Sequence, residues 1–277
     1  MTRSRLCVLL AVLVSSALQA QEKSETLTFG IVPQQSAAVL AKLWMPILQH
    51  VGERADCKLV FRTAKDIPTF EERLLAGEYD IAYMNPYHYT VAHAKQGYVA
   101  FANQANKKIR GIIVVKADSP IRELAALDST EMCFPSPAAF AASILPQAYL
   151  STQNVYIRPK YVQSHDSVYR NVALGRYMAG GGIERTLANV DADVRKNLRV
   201  LYKTEGYTPH AMAAHPRIDS TRVAAIGTAL FAMASDSLGK SLLQGIKFDG
   251  VQPAQNSDWD DIRALEIEKV LGVPQQQ

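Results

Sequence analysis

Cysteine is scarce in this chain, with three in 277 residues, and one of these, Cys7, lies in an N-terminal apolar stretch. Cys57 and Cys133 remain, enough for one disulfide at most, which excludes a scaffold built on disulfides. Long apolar runs are also missing. Beyond the N-terminus no stretch approaches the roughly 18 uninterrupted apolar residues that a membrane-spanning helix needs. No phosphate loop, CxxC pair or HExxH motif occurs, and the spacing of a dinucleotide fingerprint is absent. One-sided charge is lacking too: 30 basic residues face 26 acidic ones, dispersed without the basic stripe of a nucleic-acid reader.

The chain begins with Arg3 and Arg5, then an apolar run over 6–14, small residues, and Ala17-Leu18-Gln19-Ala20. This order predicts a cleaved secretory signal over 1–20 and a soluble, exported mature protein. Cys7 sits too early, without preceding small residues, to serve as a lipid-attachment site.

After the leader, strand-like and helix-like pieces alternate, which predicts an α/β fold with largely parallel sheets. Strands are expected over 26–33, 57–64 and 79–84, with helices over 36–51, 69–76 and from Asn85 to a stop at Gly97. The apolar GIIVVK (111–116) precedes Asp118-Ser119-Pro120, where the chain is expected to leave a first lobe. HAMAAHP (210–216) returns it to two final helices, 221–234 and 258–271. The expected division is lobe 1 from 21–115 and 213–277, and lobe 2 from 116–212. LLAGEYDIAYMN (74–85) and VALGRYMAGGGI (172–183) both pass from a helical pattern through Gly, a charged residue and Tyr into a short apolar segment. The pair reads either as an internal echo, one copy per lobe, or as two ordinary helix-to-strand turns.

YDIAYMNPYHYTVAHAKQGY (79–98) crowds half-polar rings around one Asn-Pro pair. Asn85 suits a helix N-cap, Pro86 the first helical position and Gly97 the stop. A helix that starts at the end of a strand offers free N–H groups to an anion, and ligands of open α/β sheets bind at that edge. Tyr83, Asn85, Tyr87 and His88 are therefore candidate wall residues of a ligand cleft. The other reading packs the rings between helix and sheet, as is expected for Tyr79 and Tyr98. His88 and His93 are five apart and do not share the helix face of an i, i+4 metal pair.

In YVQSHDSVYRNVALGRYMAGGGIE (161–184), Ser164 or Asp166 can cap the next helix, which places His165 and Ser167 at a second strand-to-helix edge. Adjacent Ser, His and Asp in one turn do not make the relay of a catalytic triad. His165 is either a ligand contact or a capping residue. Gly180, Gly181 and Gly182 allow close approach by ligand or backbone. In GYTPHAM (206–212), His210 is either a contact beside the return crossing or loop packing.

DIAYMNPYHY, SHDSVYRNVALG with its following glycines, GYTPHA, and FDG at 248–250 together resemble the phosphate/phosphite/phosphonate-binding receptors of ATP-driven importers, in order along the whole mature chain. The resemblance implies a type II periplasmic binding protein, two α/β lobes joined by two crossing strands and closing on a small anion, with no catalysis, no cofactor and no metal. It matches the family's tyrosine to Tyr83 and its cleft histidine to His165. It also implies a periplasmic monomer working with an inner-membrane permease. A ligand-presenting partner of a sensor kinase, or more remotely a secreted hydrolase, shares the same general features. One departure stands out. Where relatives place consecutive Ser and Thr, this chain has FPSPAAFAAS (134–143), so Pro137, Ala138 and Ala139 leave Ser136 alone, and His210 replaces a late acidic residue. Each missing charge-assisted hydrogen bond weakens anion binding by about 1.5–3 kcal/mol.

Overall fold

The computed structural model describes residues 25–267. The expected leader and the end of the expected last helix lie outside them. The chain runs through β1 (Glu25–Ile31), α1 (Ala37–Arg54), β2 (Cys57–Arg62), α2 (Ile67–Leu75), β3 (Ile81–Met84), α3 (Pro86–Gln96) and β4 (Val99–Gln104). It then crosses into β5 (Ile112–Lys116), β6 (Glu131–Phe134), α4 (Leu145–Thr152), β7 (Arg158–Tyr161), α5 (His165–Ala173), β8 (Ala179–Gly182), α6 (Glu184–Asn189), α7 (Ala192–Arg195) and β9 (Leu198–Lys203). A second crossing leads to β10 (Ala211–Ala214), α8 (Ser220–Ala232), α9 (Ser237–Gly245), β11 (Val251–Pro253) and α10 (Asp260–Arg263).

Two sheets result, ordered β11-β4-β10-β3-β1-β2 and β7-β6-β8-β5-β9. Their cores repeat one plan. Three parallel strands, β2-β1-β3 in one sheet and β7-β6-β8 in the other, are followed by an antiparallel fourth, β10 or β5. The sheets are therefore mixed rather than mostly parallel, because each fourth strand arrives from the opposite sheet and enters reversed. The two echoing sequence segments end in β3 and β8, which occupy equivalent positions in the two sheets.

The first crossing lies earlier than expected. Ile112–Lys116 belongs to the second sheet, pairing with β8 on one side and β9 on the other. Its Ile112, Ile113, Val114 and Val115 are wholly buried, and a run that is apolar on both faces suits an inner strand. The two crossings pair with each other: Ile109 and Tyr207 exchange both backbone hydrogen bonds (2.8 and 2.9 Å), and Thr204 N–H donates to the Gly111 carbonyl.

Helix starts follow the local sequence. Ser36, Asp66, Asn85 and Ser164 each accept a hydrogen bond at the N-terminus of the helix that follows, and Gly97 ends α3 in the left-handed conformation, φ 72°. One helix is interrupted. The segment Phe140–Ile144 is π-helical before it tightens into α4, because Pro146 has no N–H to offer the carbonyls of Ala141 or Ala142 in the preceding turn. Those two carbonyls press instead on Gly111 and Gly181, where an added Cβ would sit 2.1 and 2.0 Å away. The helix expected over 258–271 begins as a short 3₁₀ turn, Asn256–Trp259, before α10. Cys57 and Cys133 are buried, free and in different sheets.

Candidate functional site

Parallel strands present their C-terminal ends on one edge, and in both sheets that edge borders the same cleft, a cavity of about 740 Å³. Its lining comes from the segments that leave β1 (Val32 to Ser36), β2 (Lys65 to Pro68) and β3 (Asn85) on one side. On the other side stand those leaving β6 (Pro135 to Ala142), β7 (Gln163 to Asp166) and β8 (Ile183, Thr186). Ile109 and His210, from the crossing segments, complete the lining. The repeated plan of the sheets thus aims six strand ends at one space.

Four of the eight candidate residues line it: Asn85, Ser136, His165 and His210. Asn85 has both ends engaged. Its Oδ1 accepts from His88 N–H (2.8 Å) and its Nδ2 donates to the Ala138 carbonyl across the cleft (3.1 Å), so it is a strut between the two sides. Ser136 Oγ is buried with no hydrogen-bond partner among the described residues, while its carbonyl accepts from Ser143 Oγ (2.6 Å).

His165 stands at the first position of α5, its Nδ1 3.2 Å from Thr186 Oγ1. Enclosure by the cleft walls, with a smaller contribution from the Arg185 charge, pushes its pKa down to about 4; the ring is neutral at neutral pH. The Thr186 hydroxyl also meets Tyr169 Oη (2.7 Å) and the Ile183 carbonyl (3.1 Å). When Thr186 donates to Nδ1, the Nε2–H of His165 is left to donate to a ligand.

His210 is buried and neutral, its pKa pushed down to about 3 by burial, with Arg185 and His88 adding to the effect. Its Nε2 lies 2.9 Å from Gln34 Nε2, and Tyr83 stacks on its other side at 5.0 Å.

The remaining four candidates do not line the cavity. Tyr83 points into the interior, packed by Trp44 and Phe248 as well as His210, because β3 is buried on both faces. Tyr87 and His88 occupy the first turn of α3, which the Asn85–Ala138 strut and the ring of Phe70 (6.0 Å from His88) close off. Both His88 nitrogens are buried without a partner among the described residues. Ser167 turns to Ser164, hydroxyl to hydroxyl at 2.9 Å, in the cap of α5. The other tyrosine rings of the 79–98 segment are structural. Tyr98 Oη donates to the Tyr79 carbonyl (2.5 Å), and Tyr89 Oη donates to Asn256 (2.9 Å). The three glycines of β8 make room for the protein's own atoms: Val168 beside Gly180, Phe134 and the Ala142 carbonyl beside Gly181, and Tyr169 beside Gly182.

Sequence reasoning missed Gln34, Thr186 and Arg185. Gln34 carries a signal in hindsight, since it follows β1 as Asn85 follows β3. Among the described residues no group of three or more His, Cys, Asp or Glu is placed to hold a metal ion, and no helix is long and apolar enough to cross a membrane.

Comparison with known proteins matches residues 29–259 to the family of periplasmic substrate-binding proteins of phosphonate ABC transporters. The chain is 23% identical over 176 residues to the phosphate-import protein PhnD of Mycolicibacterium smegmatis, a match covering 61% of this chain and 53%, about half, of that relative. Among solved structures it resembles a binding protein component of an ABC phosphonate transporter from Pseudomonas aeruginosa (TM-score 0.76, 16% identity, 89% of this chain and 88% of the other). It also resembles PhnD1 of Prochlorococcus marinus in complex with methylphosphonate (TM-score 0.77, 15% identity, 90% and 98%). The structural likenesses show the fold, two helix-flanked sheets of the type II periplasmic binding kind. By the extent of the family match, the chain belongs to the periplasmic substrate-binding proteins of phosphonate ABC transporters.

Proposed function

We propose that this protein captures a small phosphorus oxyanion, a phosphonate, phosphite or phosphate, in the cleft and presents it in the periplasm to an ABC permease. The observation that carries this reading is the convergence of Ser136 and His165 from one side and His210 from the other on one cavity at the strand ends. Lobe 1 is taken as residues 25–110 with 208–267 and lobe 2 as 111–207, hinged where Ile109 pairs with Tyr207. Closure removes water from the contacts and strengthens them. The output is binding rather than bond-making. Ser164 and Ser167 hydrogen-bond to each other and His165 to Thr186, so none of these serines is arranged as a nucleophile activated by His165.

A thermal-shift panel tests this reading. A ligand at 100 times its Kd stabilises by about 2.7 kcal/mol, which for a protein of this size is a rise in Tm of roughly 5–10 °C. Phosphate, phosphite or methylphosphonate should produce that rise, and alkyl sulfonates and simple carboxylates should not. His165→Ala should weaken the binding by about tenfold to a hundredfold, the worth of one hydrogen bond to a charged group. Stabilisation by another ligand class alone would remove the phosphorus assignment and leave the fold untouched.

A further inference from the structure

Arg185, just inside α6 in the second lobe, reaches across the cleft mouth and donates through Nη2 to Gln34 Oε1 of the first lobe (3.3 Å). That contact orders what lies beyond it. With Oε1 turned to a guanidinium, which can only donate, Gln34 presents its Nε2–H to His210 Nε2 at 2.9 Å. His210 Nε2 therefore accepts, and the ring proton sits on Nδ1. One arginine thus fixes an amide and a tautomer across both lobes.

Its charge is not spent on a carboxylate: no acidic side chain lies within ion-pair distance of Arg185 among the described residues, since neighbouring Glu184 pairs with Lys203 (2.8 Å). The acidic groups of the cleft are occupied. Asp166 pairs with Arg170 (2.6 Å), and Asp66 caps α2 through Thr69 N–H (2.9 Å) with Lys65 beside it. Burial dominates the titration of Tyr83, which it raises, and of His165 and His210, which it lowers, and the field of Arg185 reaches all three as a smaller downward effect. The cavity, about 740 Å³, is of the size that takes drug-like molecules, roughly 300–1,000 Å³, and has room beyond a bare tetrahedral oxyanion. Much of the lining is apolar, with Pro135, Pro137, Phe140 and Ile183, and Arg185 stands at its edge, next in sequence to the lining residue Thr186 and bonded to the lining residue Gln34.

We propose that Arg185 is the specificity-determining residue of the cleft, selecting phosphorus oxyanions that carry a second anionic group, such as a carboxylate, at the end of a short organic chain. The proposal rests on the oxyanion-capture reading above, which places the phosphorus group at Ser136, His165 and His210. Arg185 then meets the far end of the ligand, exchanging its contact with Gln34 for a paired hydrogen bond to the carboxylate.

Titration calorimetry of the wild type and of Arg185→Gln, Arg185→Lys and Arg185→Glu against methylphosphonate, phosphonoacetate and 2-aminoethylphosphonate tests it. The wild type should bind phosphonoacetate about tenfold or more tighter than methylphosphonate. Arg185→Gln should abolish that ratio, phosphonoacetate losing about tenfold or more affinity beyond any loss that methylphosphonate suffers through His210, Arg185→Lys should retain part of it, and Arg185→Glu should move the preference to 2-aminoethylphosphonate. A structural role alone would weaken all three ligands together. An unchanged ratio in Arg185→Gln, a uniform loss, or a wild type that prefers 2-aminoethylphosphonate overturns the proposal while methylphosphonate binding still upholds oxyanion capture. A wild type that binds none of the three overturns both.

Discussion

Gly181→Ala is expected to lower the stability of the protein by about 3 kcal/mol or more, at the upper end of what overpacking costs, and its Tm by roughly 6–12 °C. The reason is space. Gly181 sits in β8 with the Ala142 carbonyl 2.0 Å and the Phe134 ring 2.6 Å from where a methyl would stand. A side-chain tip can swing away; this carbonyl is backbone, in the π-helical turn that Pro146 forces on Phe140–Ile144. That turn is also one wall of the cleft, so the displacement should reach ligand affinity as well. Gly175→Ala is the matched control. Gly175 has the left-handed conformation, φ 70°, with nothing within 4 Å of an added Cβ, so its cost is conformational strain alone, about 1–2 kcal/mol. Equal losses in the two variants, read by chemical denaturation, would contradict the crowding argument.

Acidification from pH 7 to pH 5 is expected to remove about 2–4 kcal/mol of stability through His88 and His210 together, at 1.36 kcal/mol for each unit of pKa difference. Burial pushes both rings down to about 3, whereas the same rings in the unfolded chain titrate near the ordinary value of 6.5. The unfolded state therefore binds more protons below that value. The stabilisation is fully present above about pH 6.5 and is lost progressively as the pH falls toward 3. His88 separates the two contributions. Its nitrogens lack partners among the described residues, and each orphaned group of this kind costs about 1–3 kcal/mol. His88→Leu should accordingly hold or gain stability at pH 7 and remove its own share of the loss between pH 7 and pH 5, about a third, since His165, pushed down to about 4, titrates alongside His210. Urea denaturation of the wild type and of His88→Leu at both pH values checks this. An undiminished acid loss in the variant would place the sensitivity elsewhere, and a collapse of ligand affinity in His88→Leu would place His88 in the binding site.

What could be read from the sequence follows the range of the interactions involved. The helix starts at Asn85 and Ser164 are set by a side chain and a backbone N–H three residues apart, so capping chemistry located them, and with them His165 at the cleft edge. Tyr83 was harder to place. Its strand is four residues long and buried on both faces, so the in-and-out alternation that assigns a strand residue to core or surface carries no information there. GIIVVK announced a buried strand, but an apolar run does not say which of two sheets will bury it. The π-helical turn depends on Pro146 and on the room that Gly111 and Gly181 leave for its carbonyls, while helical periodicity through the same segment looks ordinary. Arg185 and Gln34 are 151 positions apart and meet only because the two sheets repeat one strand order and turn their C-terminal edges toward each other.

A crystal structure of the protein grown with methylphosphonate tests the account most directly. The phosphorus is predicted between Ser136 and His165 on one side and His210 on the other, with a phosphonate oxygen within hydrogen-bonding distance of His165 Nε2. Ligand density found only in the surface groove between α1 and β2, or an empty cleft at saturating methylphosphonate, would contradict it.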